Sequence, residues 1–351
     1  MRQVDAIMGA YQGAVPGACV AVMHDGVPVL RCAYGLANLE SQTAARTFTN
    51  YRLGSVTKQF TAAAILLLAE ERRLAIDDLI RRWLPELPGA AEGMTIRQLL
   101  THTSGLLDYE DLIPQERTLP LRDADVLRLL QGGHRSYFAP GTQYRYSNSG
   151  YVLLALIVER ASGEGFAAYL RRRIFQPLGM QETVAFEDGT GAVTHRSFGY
   201  SAAGPSWTRT DQSLTSATLG DGGIYSSVDD LAKWDAALCG GTLLRAASQR
   251  LAFEPQTPTH DPAVQYGFGW RISGDARWHS GETLGFRTVI VRYLEQRYTV
   301  VVLTNRNDPG PYGEAIAIAR VFMPNVAAVD VAGVAALRAS GPDPGTRPLP
   351  R

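Results

Sequence analysis

The chain has 351 residues, 45% of them hydrophobic and 19% charged, with 34 basic and 34 acidic side chains that cancel to a net charge of zero. That length fits one large domain or two closely packed subdomains, and the neutral balance leaves no electrostatic footprint for nucleic acid or an anionic membrane. The most apolar run, Ala62 to Ala69, is far too short to span a bilayer.

Taken in chain order, residues 5–12 suit a short helix, and Met1 to Met8 lack the sustained apolar core of a signal peptide, so a cytoplasmic location is expected unless an export signal has been removed. Strands are predicted over 17–23 and 27–35, joined at Asp25-Gly26, a strong two-residue hairpin signal. Counting outward from that turn puts Cys19 opposite Cys32, so a cross-strand disulfide is conceivable, although reduced packing thiols are expected in a cytoplasmic protein. The strongest helix covers 56–73, and further helices fall at 95–101, 123–131, 150–162 (stopped by Gly163) and 165–174. From 182 to 225 the chain is irregular and rich in Gly, Ser and Thr, the kind of long loop that usually carries function. A helix over 228–238 precedes strands at Tyr266–Ile272, Phe286–Tyr293 and Tyr298–Thr304, then a helix at 312–322 and a Pro-rich, mobile tail. The economical arrangement is an α+β fold. One antiparallel sheet is drawn from residues 1–50 and 260–325, flanked by helices, with a mainly helical subdomain over 55–240 inserted and a tail over 326–351.

Only Lys58 and Lys233 are lysine, so 34 − 2 = 32 basic residues are arginine. Arginine supplies a permanent cation, and a lysine kept against that bias marks a need for an amine that can release its proton. Lys233 has Asp229 four residues before it, which fits a solvated helix pair. Lys58 follows Ser55 by three residues at the start of the strongest helix, where a hydroxyl beside a tunable amine makes an activated nucleophile and the helix end favours an alkoxide. The plain alternative is an N-cap serine with a surface lysine. Tyr146-Ser147-Asn148 places a phenol and a carboxamide on one side of an extended segment, although an aromatic anchor ahead of a helix cap reads equally well. His279-Ser280-Gly281 precedes the strand near Phe286, where Gly281 permits close backbone approach and the N–H groups of Glu282 and Ser55 can form an oxyanion hole.

In order and spacing, these three elements resemble the motifs of the penicillin-binding-protein and class C β-lactamase superfamily of serine hydrolases over roughly residues 5–325. Leu99–Leu106, Phe138–Gly141 and Gly220–Ser227 are similar to it as well. The resemblance implies a β-lactamase/transpeptidase-like fold and a single catalytic domain over 1–325. It implies acyl transfer through Ser55, with Lys58 and Tyr146 sharing the proton as a coupled pair and Asn148 and His279 as orienters. His279 stands where typical β-lactamases carry lysine, which favours an esterase or D-amino-acid peptidase over a β-lactamase. An acyltransferase or a non-catalytic peptide- or β-lactam-binding protein would keep the same motifs.

Arg287 can supply the missing cation, or is a surface strand arginine, and Tyr109, Trp207 and Tyr225 either line the acyl pocket or pack in the core. His102 reads as a hydrogen-bonded structural histidine. His134, His195 and His260 show no ligand spacing, and no Gly-rich phosphate loop follows a strand, so neither a metal nor another cofactor is expected. The expected partner is a small ester, amide or peptide substrate; oligomeric state is not legible.

Overall fold

The computed structural model describes residues 1–326 and 329, apart from 134 and 187–191; the expected tail, Val326 and Val329 aside, and His134 lie outside the described residues. Its main sheet has eight antiparallel strands: β1 (Ala18–His24), β2 (Val27–Tyr34), β3 (Thr257–Pro258), β4 (Gln265–Tyr266), β5 (Arg271–Ser273), β6 (Ala276–Thr283), β7 (Phe286–Tyr293) and β8 (Tyr298–Thr304), in the order β3-β4-β5-β6-β7-β8-β1-β2. The first strand of the chain therefore pairs with the last, Ala18 opposite Thr304 and Val22 opposite Val300.

Strand alternation sends side chains to two separate cores. Ala18, Val20, Val22, Val289, Val291, Val300 and Val302 pack beneath two terminal helices, α1 (Arg2–Ile7) and α9 (Tyr312–Phe322). Cys19, Ala21, Met23, Ile290, Val301 and Leu303 face the other way, into the larger core shared with the helical half. With both faces covered, β1 and β8 have little need of a polar side, which explains their unbroken apolar runs.

The helical half holds α2 (Lys58–Glu70), α3 (Ile96–Leu100), α4 (Asp123–Gln131), α5 (Asn148–Ser162), α6 (Phe166–Leu170), α7 (Val228–Gly240) and α8 (Ala246–Phe253). Ser147 caps α5 by accepting from the Gly150 N–H at 3.3 Å, and Gly163, with φ 78°, ends it. α5 is apolar nearly all round and buries Val152, Leu153, Leu154, Ile157 and Val158. Truncating Leu153, fully buried, to alanine removes on the order of 2–5 kcal/mol. These two long helices, α2 and α5, form a rigid pair whose N-terminal ends meet at one place.

The architecture follows the sequence expectation: helices inserted between two sheet-forming ends. Three details differ. A bulge between Val22 and Met23 shifts the hairpin register, so Cys19 opposes Ala33 and Cys32 opposes Val20. The two thiols fall on opposite faces, both are free, and Cys19 Sγ instead contacts the Arg46 carbonyl at 3.1 Å. The expected strand over Tyr266–Ile272 is broken into β4 and β5, which pair with each other through Tyr266 and Arg271. Gly269 makes the turn at φ 76°, and a side chain there would stand 2.6 Å from the Lys58 carbonyl oxygen. Finally, Lys233 pairs with Asp230 at 2.6 Å, while Asp229 turns to Arg31 and Thr47.

Candidate active site

Ser55 belongs to a single 3₁₀ turn, Gly54–Thr57, leading directly into α2. This turn is clamped on both sides. Leu53 N–H donates to the Ile224 carbonyl at 2.8 Å, and the Thr288 hydroxyl of β7 donates to the Leu53 carbonyl at 2.7 Å. Against β6 the fit is tighter still: a Cβ on Gly281 would lie 1.8 Å from the Leu53 oxygen, and one on Gly54 would lie 3.0 Å from the Glu282 nitrogen. Glycine at both positions lets the Ser55 turn rest on the strand backbone. β5 accompanies β6 only as far as Trp278, so His279 to Thr283 have no strand neighbour on that side.

Lys58 is completely buried, one helical turn beyond Ser55. Its Nζ lies 3.0 Å from Ser55 Oγ, 2.7 Å from Asn148 Oδ1 and 2.9 Å from the Asp221 carbonyl oxygen. The faces of Tyr146 and Tyr151 close the remaining space, their ring centres 4.9 and 5.4 Å away. Every partner of this amine is neutral.

Tyr146 and Asn148 reach the amine because the segment before α5 is held from several directions. The Ser147 N–H donates to His102 Nδ1 at 3.1 Å, and the Asn148 N–H donates to Asp108 Oδ2 at 2.7 Å. Asn148 Nδ2 donates to Glu110 Oε1 at 2.8 Å, which orients the carboxamide so that its oxygen faces Lys58. Burial lifts the Asp108 carboxyl to about 6, against the pull of the Asn148 and Glu110 N–H groups. The His102 ring lies tilted against Tyr146, centres 4.3 Å apart, and burial, followed by the Lys58 charge, pushes its pKa well below the usual histidine value. Since Nδ1 accepts, the ring proton sits on Nε2.

His279 is 1% exposed and spoken for at both nitrogens. Nδ1 donates to the Ser280 carbonyl at 2.7 Å, and Nε2 accepts from the Tyr266 hydroxyl at 3.0 Å. Burial, then the charges of Arg271 and Lys58, drives its pKa well below the usual range, so the ring is neutral at pH 7. It orients and packs, and offers no cation.

The structure thus gathers Ser55, Lys58, Tyr146, Asn148 and His279 about one point, with Ser280, Gly281 and Glu282 following on β6. Tyr109 and Tyr225 are 0% and 1% exposed and point inward. The Tyr109 hydroxyl donates to Asp221 Oδ2 at 3.0 Å and the Tyr225 hydroxyl accepts from Arg196 at 3.2 Å, so both act as supports beneath the site. Arg287 Nε stands 3.9 Å from Glu282 Oε2, and its Nη1 donates to the Thr283 and Phe286 carbonyls, so its charge is already matched. Trp207 lies on a separate hairpin under Arg306. Among the described residues, no group of three or more His, Cys, Asp or Glu is placed to hold a metal.

Sequence reasoning missed Asp108, Glu110 and the Asp221 carbonyl. The two acidic residues flank Tyr109, which was noticed, and Asp221 lies in the Gly220–Ser227 stretch noted for its resemblance. Arg271 carried no signal at all, because a strand arginine is ordinary until its surroundings are known.

A family model described as Beta-lactamase matches residues 2–322. Penicillin-binding protein 4* of Bacillus subtilis is 33% identical over 303 residues, covering 81% of this chain and 67% of that protein. The chain spans about two thirds of the length of the curated relatives it matches. Among solved structures, a penicillin binding protein from Bacillus halodurans superposes with a TM-score of 0.79 at 29% identity, covering 91% of this chain and 98% of that one. A D-amino acid amidase from Ochrobactrum anthropi gives 0.77 at 25% identity, covering 92% and 98%.

Proposed function

The chain belongs to the Beta-lactamase family, and on that premise we propose that it is a serine hydrolase cleaving an ester or amide bond through an acyl-enzyme on Ser55. One observation carries the reading: the buried Lys58 Nζ lies within hydrogen-bond reach of Ser55 Oγ, at 3.0 Å. Its two other partners, Asn148 Oδ1 and the Asp221 carbonyl, can only accept, and they hold the amine in place. Once deprotonated, an amine so held aims its lone pair at the serine hydroxyl. That is the geometry a general base needs.

In this mechanism the Ser55 hydroxyl proton passes to Lys58 as Oγ bonds to the substrate carbonyl carbon. The carbonyl oxygen, now negative, is met by the backbone N–H groups of Ser55 and Glu282. Collapse breaks the bond to the alcohol or amine, and the Lys58–Tyr146 pair returns the proton to that leaving group. Water then attacks the acyl-enzyme, giving its proton to the same pair, and Ser55 recovers its hydrogen as the acid departs. Lys58 and Tyr146 share the proton work between them.

Within this class, esterase or D-amino-acid peptidase activity ranks ahead of β-lactamase activity. Support comes from the neutral, fully engaged His279 and from the likeness to a D-amino acid amidase. The direct test is labelling with a fluorophosphonate, read by intact mass, followed by turnover of short-chain esters, D-alanyl peptides and a chromogenic cephalosporin. A single adduct on Ser55 and ester or D-peptide turnover are expected. Folded protein that takes no adduct refutes the acyl-enzyme.

A further inference from the structure

Glu282 brings two opposed groups to the end of β6. Its backbone N–H is one of the two donors that meet the substrate oxyanion, while its side chain is a carboxylate, whose charge would repel that oxyanion. Successive side chains of a strand leave by opposite faces. Gly281 faces the Leu53 carbonyl and the Ser55 turn, whereas Trp278 packs in the core beneath α1 and α9, so Ser280 and Glu282 project toward α9 as well. There the Glu282 carboxylate, 11% exposed, is gripped at both oxygens. Oε1 accepts from the Tyr312 hydroxyl at 2.8 Å, and Oε2 stands 3.9 Å from Nε of Arg287, the residue opposite Glu282 on β7.

Tyr312 is the first residue of α9. Ala315, Ile318 and Ala319 seat that helix in its core, and the turn before it presses on the phenol: a Cβ on Gly310 would lie 2.9 Å from ring carbon Cε2. The ring is thus a fixed post, and its bond to a carboxylate is of the strong, charge-assisted kind. The strand it holds needs a restraint, because β5 leaves β6 at Trp278 and the residues beyond have a strand neighbour on one side only. We propose that Tyr312 is a positioning residue for the reaction, acting through Glu282. With Arg287 it pins the carboxylate toward α9. That keeps the negative charge away from the oxyanion and holds the Glu282 peptide so that its N–H stays aimed past Gly54 at the reacting carbonyl. The proposal rests on the reading of Ser55 as the acylated nucleophile.

The experiment compares p-nitrophenyl acetate with its thiono analogue, in which sulfur replaces the carbonyl oxygen and makes a poor acceptor for backbone N–H groups. Wild-type enzyme is expected to prefer the oxygen ester about a hundredfold in kcat/KM. Tyr312→Phe should lower kcat on that ester about tenfold with KM unchanged, and shrink the oxygen preference by about the same factor. A purely structural loss would slow both esters alike. Glu282→Ala should reproduce both changes, and adding Tyr312→Phe to it should cost little more, since the two act through one contact. Glu282→Gln keeps an acceptor for the phenol and should retain most of the preference. A thermal melt on each variant checks the fold. An unaltered oxygen preference in Tyr312→Phe, losses that simply add in the double variant, or a wild type indifferent to the sulfur each overturn the proposal. If Tyr312→Phe does not fold, Glu282→Ala decides in the same assay, and an unaltered preference there overturns it. Wild-type protein that takes no fluorophosphonate label and cleaves neither ester refutes the Ser55 reading itself.

Discussion

The chain's two lysines occupy opposite kinds of surroundings. Lys233 leaves 43% of its side chain exposed and meets the buried carboxylate of Asp230, which also accepts from the Glu182 and Thr183 N–H groups and the Thr183 hydroxyl. Lys58 has no exposure and meets a hydroxyl, a carboxamide and a carbonyl. A carboxylate neighbour fastens the proton to an amine, whereas neutral acceptors leave it able to move. The contrast teaches that the useful signal lies in the charge of the partners, since both residues belong to thirteen-residue helices and both bond well.

The sharpest break in that comparison is exchange to arginine at each site. Lys58→Arg keeps a cation but removes a proton acceptor, and we expect p-nitrophenyl acetate turnover to fall about a thousandfold or more with the circular dichroism unchanged. Lys233→Arg is expected to stay within about twofold, since the ion pair survives the exchange. Equal losses in the two variants would show that Lys58 acts only as a fixed charge.

Next in size is Gly281→Ala. The added methyl would lie 1.8 Å from the Leu53 oxygen, so the Ser55 turn must move off β6. A displacement near 1 Å is expected to cost about a hundredfold in kcat, measured by ester turnover alongside the rate of Ser55 labelling. Unchanged turnover would mean that the turn tolerates slack.

On the Lys233 side the expected effect is on stability. Asp230→Ala strips the acceptor from two backbone N–H groups and leaves Lys233 with only the Gly179 carbonyl and solvent, costing about 3 kcal/mol in urea unfolding while kcat stays near wild type. Loss of turnover in folded protein would tie that corner to the chemistry.

The smallest effect is a slope with pH. Burial raises Asp108 from 3.8 to about 6 in the folded state, so the native protein holds this proton more tightly than the unfolded chain does. The contribution is fully present below about pH 4 and is lost as pH rises through about 6, a decline of order 3 kcal/mol. Asp108→Asn should flatten that part of the urea-stability profile between pH 4 and 7, and an unaltered slope would assign the titration to another group.

Much of this was legible beforehand. Ser55, Lys58, Tyr146, Asn148 and His279, each weak as a motif alone, were singled out by the order and spacing that resemble the family's three motifs, and β7, β8, α4 and α9 by their apolar period. What escaped depends on partners distant in sequence. No local pattern shows that Asp221 presents its backbone to Lys58, or that Arg287 meets Glu282 while Arg271 forms no ion pair among the described residues. The break at Gly267 to Gly269 was hidden because both glycines answer to neighbours elsewhere, the Ala252 and Lys58 carbonyls. α8 went unread for a related reason: it buries only Ala252 and Phe253, too few residues to set a period.

The clamp on Ser55 has a temporal consequence. Its jaws are β6 and β7, and the sheet that holds them closes only when β1 finds β8, some 280 positions later in the chain. During synthesis the helical portion emerges complete with serine and lysine, yet without the surface they must lean on. Ribosome-held chains that stop before Ala276 should therefore be inert toward ester, and reactivity should switch on in a single step as the final strands clear the exit tunnel.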